Sequence, residues 1–197
     1  ESACRAATAI VAAGAGVTRA ELLDGWTIAA INEYQGTDLP VAPSLFVEAS
    51  GSAGTVASDL ELVTAIAESE GSLAVVAESD PTARSRLWAA RHASAYAVAA
   101  ASPGKRHRST DVCVPLSELA GAVSFARAEL ERRGLVAGIV GHAGDGNVHL
   151  SLMVDPDDEA ELRASDELVE ALVTDALARG GTCTGEHGIG VGKIHAL

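Results

Sequence analysis

Apolar residues recur along the chain in two rhythms, one of three to four residues and one of two, with glycines and prolines between the runs. Ser2 to Ala13 is Ala-rich with helical spacing, and Gly14-Ala15-Gly16 ends it. Val17 to Leu23 reads as a first strand and Trp26 to Tyr34 as a short helix, followed by a turn over Gly36 to Pro40. Ser44 to Ala49 predicts a strand, with Gly51 to Gly54 as a loop. Thr55 to Glu70 predicts a helix with Val56, Leu60, Val63 and Ala67 on one face and Gly71 as its stop. Ser72 to Ala77 is another apolar run of strand character. Pro81 to Ala101 reads as helix, and Pro103-Gly104 closes the region.

The second half repeats the pattern. Ser109 to Val114 reads as a strand. Ser117 suits the cap of a helix that presents Leu119, Val123, Ala126 and Leu130, closed by Gly134. Two strands then flank a turn, and Asp157-Asp158 opens a helix showing Leu162, Ser165, Val169, Leu172 and Ala176, ended by Gly180-Gly181. The order, roughly α-β-α-β-α-β-α and then β-α-β-β-α, predicts an α+β fold. Its expected form is a duplicated ferredoxin-like (split βαβ) antiparallel sheet with helices packed on one side.

The 197 residues are 48% hydrophobic but only 3% aromatic, so the core must be built from Ala, Val, Leu and Ile. A net charge of −13 opposes a phosphate backbone, which argues against nucleic acid as a partner. The basic stretch Lys105, Arg106, His107, Arg108 is too short to reverse that and reads as a solvated loop. Three cysteines, Cys4, Cys113 and Cys183, cannot pair without a remainder, and a reducing cytoplasmic setting fits them. No apolar run is long enough to cross a bilayer as a helix.

The chemistry concentrates in GHAGDGNVH, Gly141 to His149. Asp145-Gly146 is a dipeptide favoured in two-residue type I′ hairpins. With that turn, Gly144 pairs with Asn147, Ala143 with Val148 and His142 with His149. Directly opposed side chains share a face, with Cβ atoms about 4.5–5.5 Å apart. Two imidazoles so placed can bind one divalent metal, and Leu150, Leu152 and Val154 share the other face with Gly141, Ile139 and Ala137. The alternative is a pair of structural histidines hydrogen-bonded near a turn. Glu186 and His187 lie between Gly185 and Gly188; in an extended segment their side chains would point to opposite sides and serve different tasks.

GHAGDGNVHL resembles the GHxGDGNxH signature of the FAD-linked oxidase C-terminal domain found in D-2-hydroxyacid dehydrogenases. GGTCTGEHGIGVGK, Gly180 to Lys193, is similar to the GGTxxGEHGIGxGK block of that family. STDVCVPLSEL (Ser109 to Leu119) and SRLWAARHASAY (Ser85 to Tyr96) are closest to its cytochrome-type D-lactate dehydrogenase branch, and VAPSLFVEASGS (Val41 to Ser52) extends the match. The resemblance implies that residues 1–197 form the substrate or cap domain of a larger flavoenzyme. FAD would be held mainly by an upstream domain, a C-terminal tail would follow, and the segment alone would be inactive.

The same resemblance implies site roles. His142, His149 and Glu186 match positions that bind a divalent metal, zinc or manganese, and His187 matches the catalytic base; a histidine that only hydrogen-bonds beside the ligands is the other reading of His187. Asn147 matches a substrate-binding position, while turn chemistry alone explains Asp145. Arg91 matches a substrate-binding arginine, and an Arg fork suits a carboxylate; a surface helix charge is the other reading. The implied reaction is oxidation of a small 2-hydroxyacid, D-lactate first, with D-2-hydroxyglutarate or glycolate as alternatives. A non-catalytic metal- or carboxylate-binding module is a different class of reading. The implied electron acceptor is a cytochrome, a quinone or an electron-transfer flavoprotein. Cys183, four residues before His187, reads as part of the glycine-rich turn, and His92, His107 and His195 carry no comparable support.

Overall fold

The computed structural model describes residues 1–190, 193 and 194. The chain runs through α1 (Ser2–Ala12), β1 (Val17–Leu23), α2 (Gly25–Gln35), β2 (Ser44–Ala49), α3 (Ala53–Ser69), α4 (Pro81–His92) and α5 (Ser94–Ala100). It continues with β3 (Arg106–Ser109), β4 (Val112–Cys113), a 3₁₀ turn over Leu116–Glu118, α6 (Leu119–Arg133), β5 (Val136–His142), β6 (Asn147–Val154) and α7 (Glu159–Ala178). The strands form one antiparallel sheet in the order β2-β1-β5-β6-β3, with β4 also on β6.

The fold is α+β, an antiparallel sheet with α1, α6 and α7 packed on one side. Alternation along the strands drives this. Leu22, Ile139, Leu150 and Leu152 enter one core with Cys4 and Ala7 of α1, Leu119, Ala126 and Leu130 of α6, and Leu168 and Leu172 of α7. Each buried Leu or Ile contributes about 1.5–3 kcal/mol. Leu23, on the other face of β1 from Leu22, joins a smaller cluster with Ile28, Ile31, Ala90 and Ala97 of α2, α4 and α5. Beside that cluster, Thr27 of α2 and Val98 of α5 close on Gly138, where even a methyl group would collide. The remainder of this second sheet face carries His142, Asn147 and His149.

Several local expectations fail, each for a nonlocal reason. Ser72 to Ala77 forms no strand; every residue from Gly71 to Asp80 is exposed. An apolar run supplies no ladder partner, and both neighbours of β1 are taken. The helix over Pro81 to Ala101 breaks at Ala93, whose ψ of −5° leaves the helical range, and α5 then packs on α2. Ser117 lies in the 3₁₀ turn, and α6 starts without a side-chain cap. The basic stretch is largely edge strand, with Lys105 paired to Glu161 and Arg108 to Asp166 of α7. The strand expected over Ser109 to Val114 is split into β3 and β4. Both keep one register on β6, but Thr110 takes the Leu150 N–H with its hydroxyl at 2.9 Å and Asp111 turns its side chain elsewhere.

The hairpin is the largest correction. His142 pairs with Asn147, Gly141 with Val148 and Val140 with His149, so four residues, Ala143 to Gly146, form the loop. A type I′ turn needs positive φ at both central residues. Gly146 has φ +74°, but among the described residues no non-glycine has positive φ, so Asp145 does not supply the other half. The Asp145 N–H instead donates to the His142 carbonyl at 3.0 Å. The register slips by two residues. Side chains alternate with period two, so both histidines keep their common face and become diagonal neighbours. His195, with Val191 and Gly192 of the second motif, lies outside the described residues.

Candidate metal centre and active site

β1 and β5 place Glu21 opposite His142. Both Glu21 carboxylate oxygens lie 2.9 Å from His142 Nδ1. A carboxylate only accepts, so Nδ1 carries the proton and the lone pair of neutral His142 resides on Nε2. That Nε2 is 3.0 Å from Glu186 Oε1. The hydrogen bond to Glu21 is the largest influence on His142; burial opposes it, Glu186 adds to it, and the imidazole is pushed up to about 9.

His149 shows the same logic with a carbonyl. Its Nδ1 donates to Thr110 O at 3.1 Å, which leaves the lone pair on Nε2. Nε2 is buried, has no hydrogen-bond partner, and stands 3.1 Å from Glu186 Oε1. Burial pushes the His149 pKa down, which favours the neutral ring. Two imidazole lone pairs and a carboxylate oxygen thus converge, with ligand atoms all within 4.8 Å of one another. Separations near 3 Å suit donors about 2.0–2.1 Å from a common ion. His142, His149 and Glu186 could therefore hold a divalent metal, and the orphaned Nε2 of His149 is what such a site needs.

Glu186 and His187 are not opposed across an extended segment. Residues 185–187 form a bend around Asp111. Asp111 Oδ2 accepts from Thr184 Oγ1 at 2.6 Å and from the N–H groups of Gly185, Glu186 and His187 at 2.9, 3.0 and 2.8 Å. Burial raises the Asp111 pKa, yet these four donors outweigh it and hold the carboxyl at about 2. His187 stacks on His149, with ring centroids 5.0 Å apart and planes 21° off parallel. Its Nε2 is 4.0 Å from Glu186 Oε1, and the ring is half exposed. Asp111, His149 and His187 form a second group with ligand-like spacing.

Asn147 faces the same spot. It is buried, and its Oδ1 has no partner. Gly185 lies against it; a Cβ there would fall 2.6 Å from Asn147 Cγ and 2.9 Å from Asp111 Oδ1. Arg91 lies behind the site. Its Nε and Nη2 donate to Glu21 Oε2 at 3.0 and 2.7 Å, and both side chains are 13% exposed. Arg91, Glu21 and His142 are thus one chain of contacts. Cys183 is buried in the main core, as a residue of the glycine-rich turn.

Two residues central to this geometry escaped the sequence reading. Glu21 is the lone carboxylate of β1, and Asp111 is the lone carboxylate in the buried stretch between β3 and β4. A charged residue in a half-buried strand needs a partner, and that was the available signal.

Comparison with known proteins adds the following. A family model described as "FAD linked oxidases, C-terminal domain" matches residues 1–197. The chain is 39% identical over 193 residues to "Probable D-lactate dehydrogenase, mitochondrial" of Danio rerio, covering 98% of the chain and 39% of that protein. It is 39% identical over 191 residues to "D-lactate dehydrogenase [cytochrome], mitochondrial" of Arabidopsis thaliana, covering 97% of the chain and 34% of that protein. A glycolate oxidase subunit of Bacillus subtilis is 29% identical over 199 residues, 100% of the chain and 42% of that protein. The chain thus spans well under half the length of these relatives. Among solved structures, 4-ethylphenol oxidase from Gulosibacter chungangensis shares the fold, with TM-score 0.54 and 15% identity over 85% of this chain and 39% of that one.

Proposed function

The chain belongs to the FAD-linked oxidase C-terminal domain family, and from that premise we propose that it is the substrate- and metal-binding domain of an FAD-dependent D-2-hydroxyacid dehydrogenase that oxidises D-lactate to pyruvate. The observation that carries this reading is the convergence of His142 Nε2, His149 Nε2 and Glu186 Oε1 on one point. Two histidines and one carboxylate leave open coordination positions, as a catalytic ion requires. A bound zinc or manganese ion would lower the pKa of the substrate hydroxyl and fix its orientation. FAD, held mainly by the rest of such a protein, would supply the hydride acceptor.

This chain's own residues then divide the work. His187 is the base: an imidazole nitrogen takes the hydroxyl proton while the α-hydrogen leaves with its electron pair, so a 2-hydroxyacid yields a 2-oxoacid. Its half-exposed ring, stacked on His149, has the access this needs. Asn147 contributes a polar contact to substrate through its unpartnered Oδ1 side. Arg91 steadies Glu21, and its Nη1, which donates one hydrogen to Ser94 Oγ at 3.5 Å, keeps a second for the substrate carboxylate. Glu21 fixes the tautomer and orientation of His142, as carboxylates behind metal-binding histidines do.

Glycolate is the second substrate reading, because relatives from Bacillus subtilis and Escherichia coli are named glycolate oxidase subunits. The electron acceptor is a cytochrome, a quinone or an electron-transfer flavoprotein, the first by analogy with the name of the Arabidopsis relative. Among the described residues no helix is long and apolar enough to cross a membrane. Three free cysteines suit a reducing compartment, either cytoplasmic or, as in the names of two relatives, mitochondrial.

A steady-state screen of D-lactate, D-2-hydroxyglutarate and glycolate on the full-length protein, with an artificial acceptor and metal analysis, tests the proposal. The highest kcat/KM is expected with D-lactate. A protein replete in flavin and metal that oxidises none of the three would leave the binding-module reading in its place.

A further inference from the structure

We infer that Asp111 is a positioning residue that sets where Glu186 and His187 stand, by pinning the glycine-rich loop to the sheet edge. The inference rests on the reading of this loop as part of a 2-hydroxyacid oxidation site. Asp111 is 1% exposed, yet none of its side-chain hydrogen bonds goes to the surrounding core. All four go to the loop: the Thr184 hydroxyl and three consecutive N–H groups meet on Oδ2. Consecutive N–H groups can converge on one oxygen only if the backbone curls around it, the concave arrangement that binds anions. That curl replaces an extended segment and turns Glu186 and His187 toward the same histidine, His149.

The other end of Asp111 addresses the hairpin. In the register shared by Ser109–Ser151 and Val112–Val148, Asp111 stands opposite His149. Its Oδ1 has no hydrogen-bond partner and lies 3.6 Å from His149 Nδ1. One rigid side chain therefore sets the distance between the two site-bearing segments. Lys193 adds a second tie, its Nζ donating to the carbonyls of Asp111 at 2.5 Å and Cys183 at 2.7 Å. Gly185 lets the loop come this close, since a side chain there would meet Asn147 and Asp111. A carboxylate serves here because a short, charged acceptor satisfies four converging donors; Asn would accept more weakly at that position and would put its NH2 group where Oδ1 stands, 3.6 Å from the His149 Nδ1–H.

The test uses the full-length flavoprotein with Asp111→Asn and Thr184→Val, the second removing one of the four donors. Zn²⁺ affinity by competition titration and single-turnover flavin reduction by D-lactate are measured beside flavin content and thermal unfolding. In Asp111→Asn, Zn²⁺ affinity and the reduction rate should both fall about 10–100-fold, the range for residues that orient metal ligands. Thr184→Val should move both in the same direction by less. A variant that unfolds at lower temperature but keeps parental Zn²⁺ affinity and reduction rate would show a merely structural role and overturn the inference. If Asp111→Asn does not fold, an unchanged Thr184→Val overturns it. If the parent binds Zn²⁺ but oxidises no 2-hydroxyacid, the functional reading fails, while the Zn²⁺ affinities of the variants still decide Asp111.

Discussion

Glu21→Gln should act on metal binding with different strength at neutral and alkaline pH. Two effects compete. Glu21 lies 2.9 Å from His142 Nδ1 through both oxygens and is largely responsible for raising that ring to about 9. A metal binding His142 at pH 7 must displace a proton, at a cost of about 100-fold in affinity for two pH units of separation. Affinity in the parent should therefore climb roughly tenfold per pH unit from 7 to 9 and then level off. Gln removes the charge, and His142 falls toward its ordinary value of about 6.5. The proton penalty at pH 7 then nearly disappears. Against this, the ring loses the carboxylate that orients it and strengthens its basicity, which typically costs about 10–100-fold.

At pH 7 the two effects cancel to within about tenfold. Above pH 9 only the loss survives, and the variant should bind about 10–100-fold more weakly than the parent. Zn²⁺ competition titrations from pH 6.5 to 9.5 on full-length protein read this directly. Calorimetry in buffers of different ionisation enthalpy should find about one proton fewer released per metal in the variant near pH 8. Parallel pH profiles for parent and variant would refute the reasoning, because they would mean that Glu21 does not hold the His142 proton.

Three further outcomes follow from the same geometry. His187→Ala should keep its metal and lose about 10²–10⁴-fold in kcat, whereas Glu186→Gln should lose metal first; metal content alongside pre-steady-state flavin reduction decides this, and near-normal reduction in His187→Ala rules out the base role. Gly185→Ala should impair metal affinity and turnover together, since its Cβ would fall 2.6 Å from Asn147 Cγ; unchanged kinetics would show that the loop yields freely. The metal-free protein should lose stability with rising pH, because a group whose folded pKa is raised from about 6.5 to about 9 stabilises below the lower value and stops doing so above the higher one. The loss is at most about 3 kcal/mol, should disappear when Zn²⁺ is added, and is measured by urea unfolding in chelator at pH 6 and pH 9.

Much of the fold was legible in the pattern of apolar positions. β1 and β2 lie where alternation placed them, and α1, α2, α6 and α7 match their helical runs to within a few residues. Leu168 of α7, fully buried, was passed over for Val169, half-buried, because a helical face is read only to about one residue. Ser72 to Ala77 misled because strand character is a property of a segment, while strand existence requires a neighbour. Ser109 to Val114 misled for the converse reason: its middle is diverted by Thr110 and Asp111, whose partners lie 40 and more residues away.

The candidate site divides along the same line. Residue identity and parity place His142 and His149 on one face of a hairpin, and this survives a two-residue slip because side chains alternate with period two. Motif order likewise links Glu186 and His187 to that hairpin, and the structure brings each of them to His149, in two groups that share that ring. Tertiary packing alone decided the rest. It set Glu21 behind His142, engaged Arg91 with Glu21, and curled residues 185–187 around Asp111. These partners are separated by 121, 70 and 76 residues, and no local period relates them. Their placement follows from sheet register and from the need of each buried charge for a partner, which only the assembled sheet supplies.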